Sequence, residues 1–515
     1  MITSAVALSL PACSLPKTNL YRYRIHSGNL CGNVWCMETA TQDRAPRYLQ
    51  LGRAIAEQIG TGTLRVGEKL PSVRSLSSER GVSISTVLQA YQWLENQGLI
   101  EPHPRSGFYA RIPHSQLVPE PSYQSSDPKP IKVGAMPTLG EILRAAMDPA
   151  KVSLGASAPS PQLFPTAKLN KIIRHVIQEQ PDHSSRYIFP PGLEALRREI
   201  ARRSIEFGCS FTPDDVVITS GGIEAIVLSL RAIAKAGDVV AIESPTYFGI
   251  LQALESLGMR VLEIPAHPRT GMDLAAFERA VKQHKVKVCV IMPNCHSPLG
   301  YVLPDEAKKV TVEIAARHGV ALIENDVYRD LAFGERRPKP AKAFDMNGTV
   351  VLCSSFSKVL GPGFRVGWVS GGKYKTQIES LKFVGSLATP SLPQLVIAEF
   401  LAGGGYERHL RRLRDILPDH VQAVTHAAAK YFPEGSKLTR PEGGYLLWCE
   451  LPKEVDSDKV FRAALDKNIL ITPGSIFGTH KKFSHHLRLN AGMLWSPAVE
   501  RALFELGRVC SAFAG

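Results

Sequence analysis

Apolar residues recur along this chain with two different periods, and the change between them divides it. Tyr48, Leu51, Ile55 and Ile59 fall at spacings of three and four, one face of a first helix. Pro71 and Ser72 open a second helix with Val73 and Leu76 facing inward. In "ERGVSISTV", Gly81 makes a tight turn and Ser83 is the N-cap of a third helix, with Val87, Tyr91 and Leu94 on its inner face. "GLIEPHPRSGFYARI" then reads as two short extended runs around a His/Pro/Arg/Gly tip, a wing. From residue 151 the pattern changes. Strand-like runs ("VVAIES", "VKVCVIM", "VALIEND", "TVVLCSS") alternate with helical segments, which predicts a mainly parallel sheet with crossover helices.

The pattern gives four regions. Residues 1–45 are expected to be a disordered extension, 46–111 a small helical domain with a wing, 112–150 a linker, and 151–510 a large α/β domain. The linker contains "IPHSQLVPEPSYQSSDPKP", too rich in Pro and Ser to build a core. "MITSAVALSLPACS" is faintly like a signal peptide, but it lacks a basic start and its apolar run is short. The expectation is that Met37 is the natural start and that residues 1–36 are a tail or an over-extended reading frame.

Composition changes this picture in three ways. A chain of 515 residues is too long for a single core, so two or three domains are expected. Its 61 Lys+Arg against 47 Asp+Glu give a formal charge of +14, which suits an anionic partner such as nucleic acid. The nine cysteines are scattered without a CxxC pair, which argues against a zinc site or a disulfide framework and for a reducing cytoplasm. No apolar run reaches the ~18 residues of a membrane span.

The first domain reads as a winged helix-turn-helix. Its third helix can enter the major groove of double-stranded DNA with Ser83, Ser85, Thr86 and Gln89, while Arg74 and Arg105 meet phosphates. On pattern alone, a helical domain with a hairpin that binds nothing stands as the alternative. "GEKLPSVRSLSSERGVSISTVLQAYQWLENQGLIEPHPRSGFYA" resembles the winged helix of GntR-type bacterial regulators. Members of that family often carry Arg early in the recognition helix. Ile84 and Leu88 stand there in this chain, which implies recognition by two modules on one site.

In the second domain, "SSFSKVLGPGFRVGW" (354–368) holds Lys358 and Arg365 in a Ser/Gly turn without an acid, which asks for an anion between them. A phosphate monoester satisfies it, with Ser355 and Ser357 as further donors; the bland alternative is a solvated basic turn. "ITSGGIEAIVLSL" (218–230) is a strand, a Ser-Gly-Gly turn and a helix whose first N–H groups form an anion site. "ESPTYFG" (243–249) puts Tyr247 after a strand, where it can stack on a flat ring. "ALIENDVYRDL" (321–331) puts Asp326 at the end of a strand, where ligands of open α/β sheets sit. "HHLRLNAG" (485–492) puts Arg488 in a short strand-like run between Leu487 and Leu489, where it either pairs with an acid or grips a ligand carboxylate.

Together these stretches resemble the fold-type I aminotransferases over about residues 150–510. The resemblance implies an α/β fold with a small α+β C-terminal subdomain and the cofactor pyridoxal 5′-phosphate. Lys358 would form its Schiff base and Asp326 would pair with the ring nitrogen, these two being the catalytic residues. Tyr247 would stack on the ring and Tyr328 would bond its 3′-oxygen. Ser220, Gly221, Gly222, Ser355, Ser357 and Arg365 would hold the phosphate, and Arg488 the carboxylate of an amino acid. "RYIFPPGLEALRREI" (186–200) implies that Tyr187 reaches the phosphate of a neighbouring subunit, hence a homodimer. "PNCHSPLG" (293–300) departs from the family pattern: Ser297 stands where Asn usually bonds the 3′-oxygen, and Asn294 is the residue placed to compensate.

A GntR-type winged helix joined to such a domain resembles the MocR family of transcriptional regulators. That implies a cytoplasmic, bacterial, DNA-bound regulator that senses an amino acid, an amine or the cofactor. An α-amino acid aminotransferase with an accessory DNA-binding module, and a repressor whose large domain is only a scaffold, are the two alternatives.

Overall fold

The computed structural model describes residues 46–60, 63–64, 68–103, 106–110, 118–123, 129–134 and 136–515. The extension before residue 46, with Met37 in it, and the wing-tip Arg105 lie outside the described residues.

The first helices are α1 (Arg47–Gly60), α2 (Val73–Arg80) and α3 (Ile84–Asn96), followed by a hairpin of β1 (Ile100–His103) and β2 (Gly107–Ala110). The Ser72 and Ser83 hydroxyls each accept from the backbone N–H three residues on, capping α2 and α3. Gly81 ends α2 in the left-handed conformation, φ 62°, which a side chain would strain. Leu51, Ile55, Leu76, Val87, Tyr91 and Leu94 close one small core, and the Tyr91 hydroxyl donates to the Pro71 carbonyl at 2.6 Å.

The stretch expected to be a linker is in part built into the large domain. β3 (Ile131–Lys132) adds an edge strand, and α4 (Pro137–Ala145) buries Leu139 and Ile142. Further upstream, Ser122 donates through its N–H and hydroxyl to Glu450, and Arg269 pairs with Glu120 at 2.7 Å. Pro and Ser content reports the absence of a local core; these residues instead borrow the core of the next domain.

The large domain continues through β4 (Val152–Ser153), α5 (Thr166–Glu179), α6 (Glu194–Ser204), β5 (Val216–Thr219) and α7 (Gly222–Ile233). Then come β6 (Val239–Ser244), α8 (Phe248–Ser256), β7 (Arg260–His267), β8 (Gly271–Met272), β9 (Val286–Ile291), β10 (Ala321–Asn325), β11 (Val350–Ser355) and β12 (Gly367–Ser370). The main sheet runs β3-β7-β6-β9-β10-β11-β12-β5, with β8 beside β7. Its central pairs from β7 to β11 are parallel, and β12 is antiparallel to both neighbours. The central strands are apolar on both faces because both are covered, one by α7 and α8. A second antiparallel sheet of four strands carries His486–Asn490 at its centre, paired with Leu446–Glu450. The expected small α+β subdomain is this sheet with helices Ser457–Leu465 and Pro497–Ala512.

Candidate functional site

Lys358 and Arg365 both sit in the loop joining β11 to β12. The loop closes on itself: Phe356 N–H donates to the Val366 carbonyl at 3.1 Å and Leu360 N–H to the Phe356 carbonyl at 2.8 Å. This carries Lys358 Nζ onto the Ser157 carbonyl at 2.6 Å, with the Ser157 hydroxyl at 3.4 Å. Among the described residues no carboxylate meets it. Burial, then the cations of Arg488 and Arg365, bring its amine down to about 7. An amine in that range is partly free at neutral pH and able to attack a carbonyl.

One end of the pocket beside Lys358 is made of oxyanion ligands. Arg365 donates through Nη2 to the Ser220 carbonyl at 2.9 Å and through Nη1 to Ser357 Oγ at 3.4 Å. Ser355, Ser357, Arg365, Gly222 and Ile223 line this end, with the first turn of α7 opening onto it. Two glycines permit the approach. A Cβ on Gly221, whose φ is +86°, would lie 2.5 Å from Arg365 Nη2, and one on Gly367 would lie 2.5 Å from the Gly221 carbonyl carbon. Ser220 joins through its carbonyl; its N–H is taken by Glu224 at 2.5 Å.

The middle of the pocket is flat and aromatic. Tyr247, at the start of α8, lines it beside Phe248, and burial pushes its hydroxyl pKa up. Tyr328 lines it with its hydroxyl 3.4 Å from the Ser157 carbonyl, onto which Tyr445 also donates at 3.0 Å. Ser297 lies on the loop after β9 with its hydroxyl buried and unpartnered. Asn294 does not stand in for it: its amide donates to Asp326 Oδ1 at 3.1 Å and to the Lys339 carbonyl at 3.2 Å. Arg488 spends Nε and Nη2 on the Gly155 carbonyl at 3.2 and 2.7 Å, between the rings of Phe248 and Phe477. Its Nη1 is buried without a partner among the described residues.

Asp326 is not where the expectation puts it. Its carboxyl accepts from Arg329 Nε at 2.6 Å and lies with Arg203, Phe207 and Tyr406 in a cleft on the other face of the sheet. The residue that lines the pocket at the end of β10 is Asn325, with Oδ1 buried and unpartnered. The cause is the pleat of the strand. Ala321 and Ile323 pack in the cluster under α7, Leu322 packs in the cluster beyond, and Glu324 accepts from Ala341 and Lys342 N–H on that far side. Asp326 N–H still bonds the Cys353 carbonyl at 2.8 Å, so the alternation runs one residue past β10.

Tyr187 is not brought to the pocket within one chain; it is 70% exposed and stacks on Phe189. On the first domain, Arg74, Ser85 and Gln89 are exposed, and Ser83 is bound up as the cap with its hydroxyl 2.8 Å from those of Ser85 and Thr86. Ile84 and Leu88 stand out on the same helix, 49% and 48% exposed. The features that sequence reading missed are Asn325 and the carbonyls of Gly155 and Ser157. "SLGASAPS" (153–160) shows no charged or aromatic side chain, so carbonyls that gather Lys358, Tyr445 and Arg488 leave no trace in it.

The family of aminotransferases class I and II matches residues 151–503, and the gntR family of bacterial regulatory proteins matches residues 47–110. The chain is 40% identical to the uncharacterized HTH-type transcriptional regulator YjiR of Escherichia coli K12, over 90% of this chain and 98% of that one. It is 38% identical to the uncharacterized regulator YdcR of the same organism, with the same coverage. Among solved structures it is similar to LysN, the α-aminoadipate aminotransferase of Thermus thermophilus, complexed with N-(5′-phosphopyridoxyl)-L-leucine. That likeness has a TM-score of 0.69 and 29% identity over 74% of this chain and 96% of that one.

Proposed function

Since the chain belongs to the class I and II aminotransferase family and carries a gntR-family domain ahead of it, the architecture of MocR regulators, we propose that it is a transcription regulator that binds DNA through the winged helix and pyridoxal 5′-phosphate through the large domain. The observation that carries the reading is the joining of two devices in one chain: a capped third helix that exposes Ser85 and Gln89, and a buried lysine amine beside an oxyanion cradle.

The residues fit the cofactor. Arg365, Ser355, Ser357 and the first turn of α7 supply donors for a phosphate, and the Gly221–Arg365 approach leaves no room for a side chain. Lys358 supplies the amine for a Schiff base. Three buried polar atoms, Ser297 Oγ, Asn325 Oδ1 and Arg488 Nη1, have no partner among the described residues, and unpaired buried polar groups are rare enough to need a reason. When bound, the cofactor supplies a carbonyl for Lys358 and a ring that can accept electrons.

The chain's own residues then select the ligand. Arg488 is held by the Gly155 carbonyl and two aromatic rings, so its free Nη1 presents a fixed cation to the carboxylate of an amino acid. Tyr187 and its exposed aromatic neighbours Phe189 and Phe383 form the face through which a second copy would approach, consistent with a homodimer in the bacterial cytoplasm. A ligand that favours one arrangement of that dimer shifts the two DNA readers, and the coupling is reciprocal. The second reading, an amino acid aminotransferase, is favoured by the low pKa of Lys358.

The test is footprinting of the DNA upstream of neighbouring genes, with pyridoxal 5′-phosphate and amino acids added in turn. A protected site whose occupancy changes with one ligand supports the regulator. Turnover of an amino acid with no protected site, or with protection indifferent to every ligand, overturns it.

A further inference from the structure

If the pocket holds pyridoxal 5′-phosphate, the reading on which this inference rests, the ring nitrogen must meet a group of its own. Lys358 takes the carbonyl end, and Arg365 with Ser355 and Ser357 the phosphate. Ser297 and Tyr328 are the hydroxyls for the 3′-oxygen. The polar side chain that remains in the lining is Asn325, at the end of β10, with Oδ1 unpartnered and Nδ2 facing only the sulfur of Met292 at 3.9 Å.

The geometry points to Asn325 as the partner of the ring nitrogen, and to a site that holds this nitrogen without a proton. A carboxylate at that position would bind a protonated ring nitrogen as an ion pair. An amide carries no charge to hold that proton, and turned over about its last side-chain bond it gives up only the weak 3.9 Å contact of Nδ2 with the Met292 sulfur and donates that N–H to the bare lone pair instead. None of the residues lining the pocket is Asp or Glu.

The acids nearby are all engaged elsewhere. Asp326 is on the far face with Arg329. Glu324 accepts two backbone N–H groups there, and burial raises it to about 8. Glu243 takes the Met292 N–H and the Tyr301 hydroxyl, and Glu224 pairs with Lys382.

What lines the pocket is cationic or neutral: Lys358, Arg365, the first turn of α7, and Tyr247 and Tyr328, with the Arg488 cation near enough to act on Lys358. The thiol of Cys353, paired across the strand from Asn325, is pushed up to about 12 by burial and stays neutral. Cations oppose a proton on the ring.

A ring without that proton withdraws electrons weakly, so an amino acid bound through Arg488 keeps its α-proton. The site retains its ligand instead of consuming it, which is what a sensor requires and an aminotransferase does not.

The experiment loads the full chain with pyridoxal 5′-phosphate labelled with nitrogen-15 in the ring and reads its NMR shift. The wild type should show an unprotonated nitrogen. In Asn325→Asp the signal should move to the pyridinium position, and a single-turnover conversion of a bound amino acid should run about tenfold faster or more. Asn325→Ser, which keeps a neutral side chain, should leave the signal unprotonated, so the prediction is readable even where the Asp variant folds poorly. A pyridinium signal in the wild type or in Asn325→Ser overturns the inference while leaving the cofactor reading intact. If the wild type takes up no cofactor and borohydride fixes none to Lys358, both fall.

Discussion

Replacing Asp326 by Asn should cost stability and leave the cofactor's spectrum alone. The side chains of Asp326 and Arg329 are 0% and 6% exposed, with Oδ2 and Nε 2.6 Å apart. Removing one partner of a buried ion pair costs about 3–5 kcal/mol, because the other charge stays buried without compensation. Two contacts soften this here. Arg329 keeps Asp330 at 3.3 Å and lies over the Phe207 ring at 3.9 Å. The loss should therefore be about 2–3 kcal/mol, a fall of roughly 3–4 °C in the melting temperature of a domain this large. Calorimetry at one scan rate, on apo and loaded protein, measures it, with the visible absorption band of the loaded protein read in parallel. A variant that melts with the wild type but has lost or shifted its band would place the carboxyl against the cofactor and refute the strand geometry. The partner variant Asn325→Asp should do the reverse: a changed band and a smaller change in melting.

Lys358 should make apo-protein stability depend on pH. Its folded pKa, about 7, lies below its ordinary 10.5, so between those values the unfolded chain binds more protons and stability from this group rises with pH. Urea midpoints of apo wild type should climb across that window relative to Lys358→Met, and parallel curves would refute it. Gly221→Ala should weaken cofactor binding by about 1–3 kcal/mol, since its Cβ would meet Arg365 Nη2 at 2.5 Å at a φ of +86°; a fluorescence titration checks this, and an unchanged Kd would remove the turn from the phosphate site. Arg74→Ala should weaken DNA binding about equally for all sequences and reduce the slope of log K against log salt by about 1. Tyr91→Phe should cost the winged helix about 1 kcal/mol through its bond to the Pro71 carbonyl at 2.6 Å; denaturation of the full chain followed at the first domain reads it.

The difference between Asn325 and Asp326 shows where sequence reading stops. Helix faces were legible because three- and four-residue spacings repeat over several turns, so Leu51, Ile55, Val87, Tyr91 and Leu94 declared their side together. The Ser83 cap and the Ser-Gly-Gly turn before α7 were legible because only a few residue types satisfy those backbones. A buried parallel strand gives no such signal. "ALIEN" is covered on both faces, so its apolar letters do not say which are up, and a shift of one residue exchanges the faces. In the family order the acid is the expected ring partner, while the pleat gives the pocket to the amide before it. Helix α4 escapes for a related reason, because the core that buries Leu139 and Ile142 belongs to another part of the chain. In each case the missing information is a contact across the fold. For β10 it is the decisive one: the same two letters in the opposite order would place a carboxylate in the pocket, and the chain would be read as an enzyme.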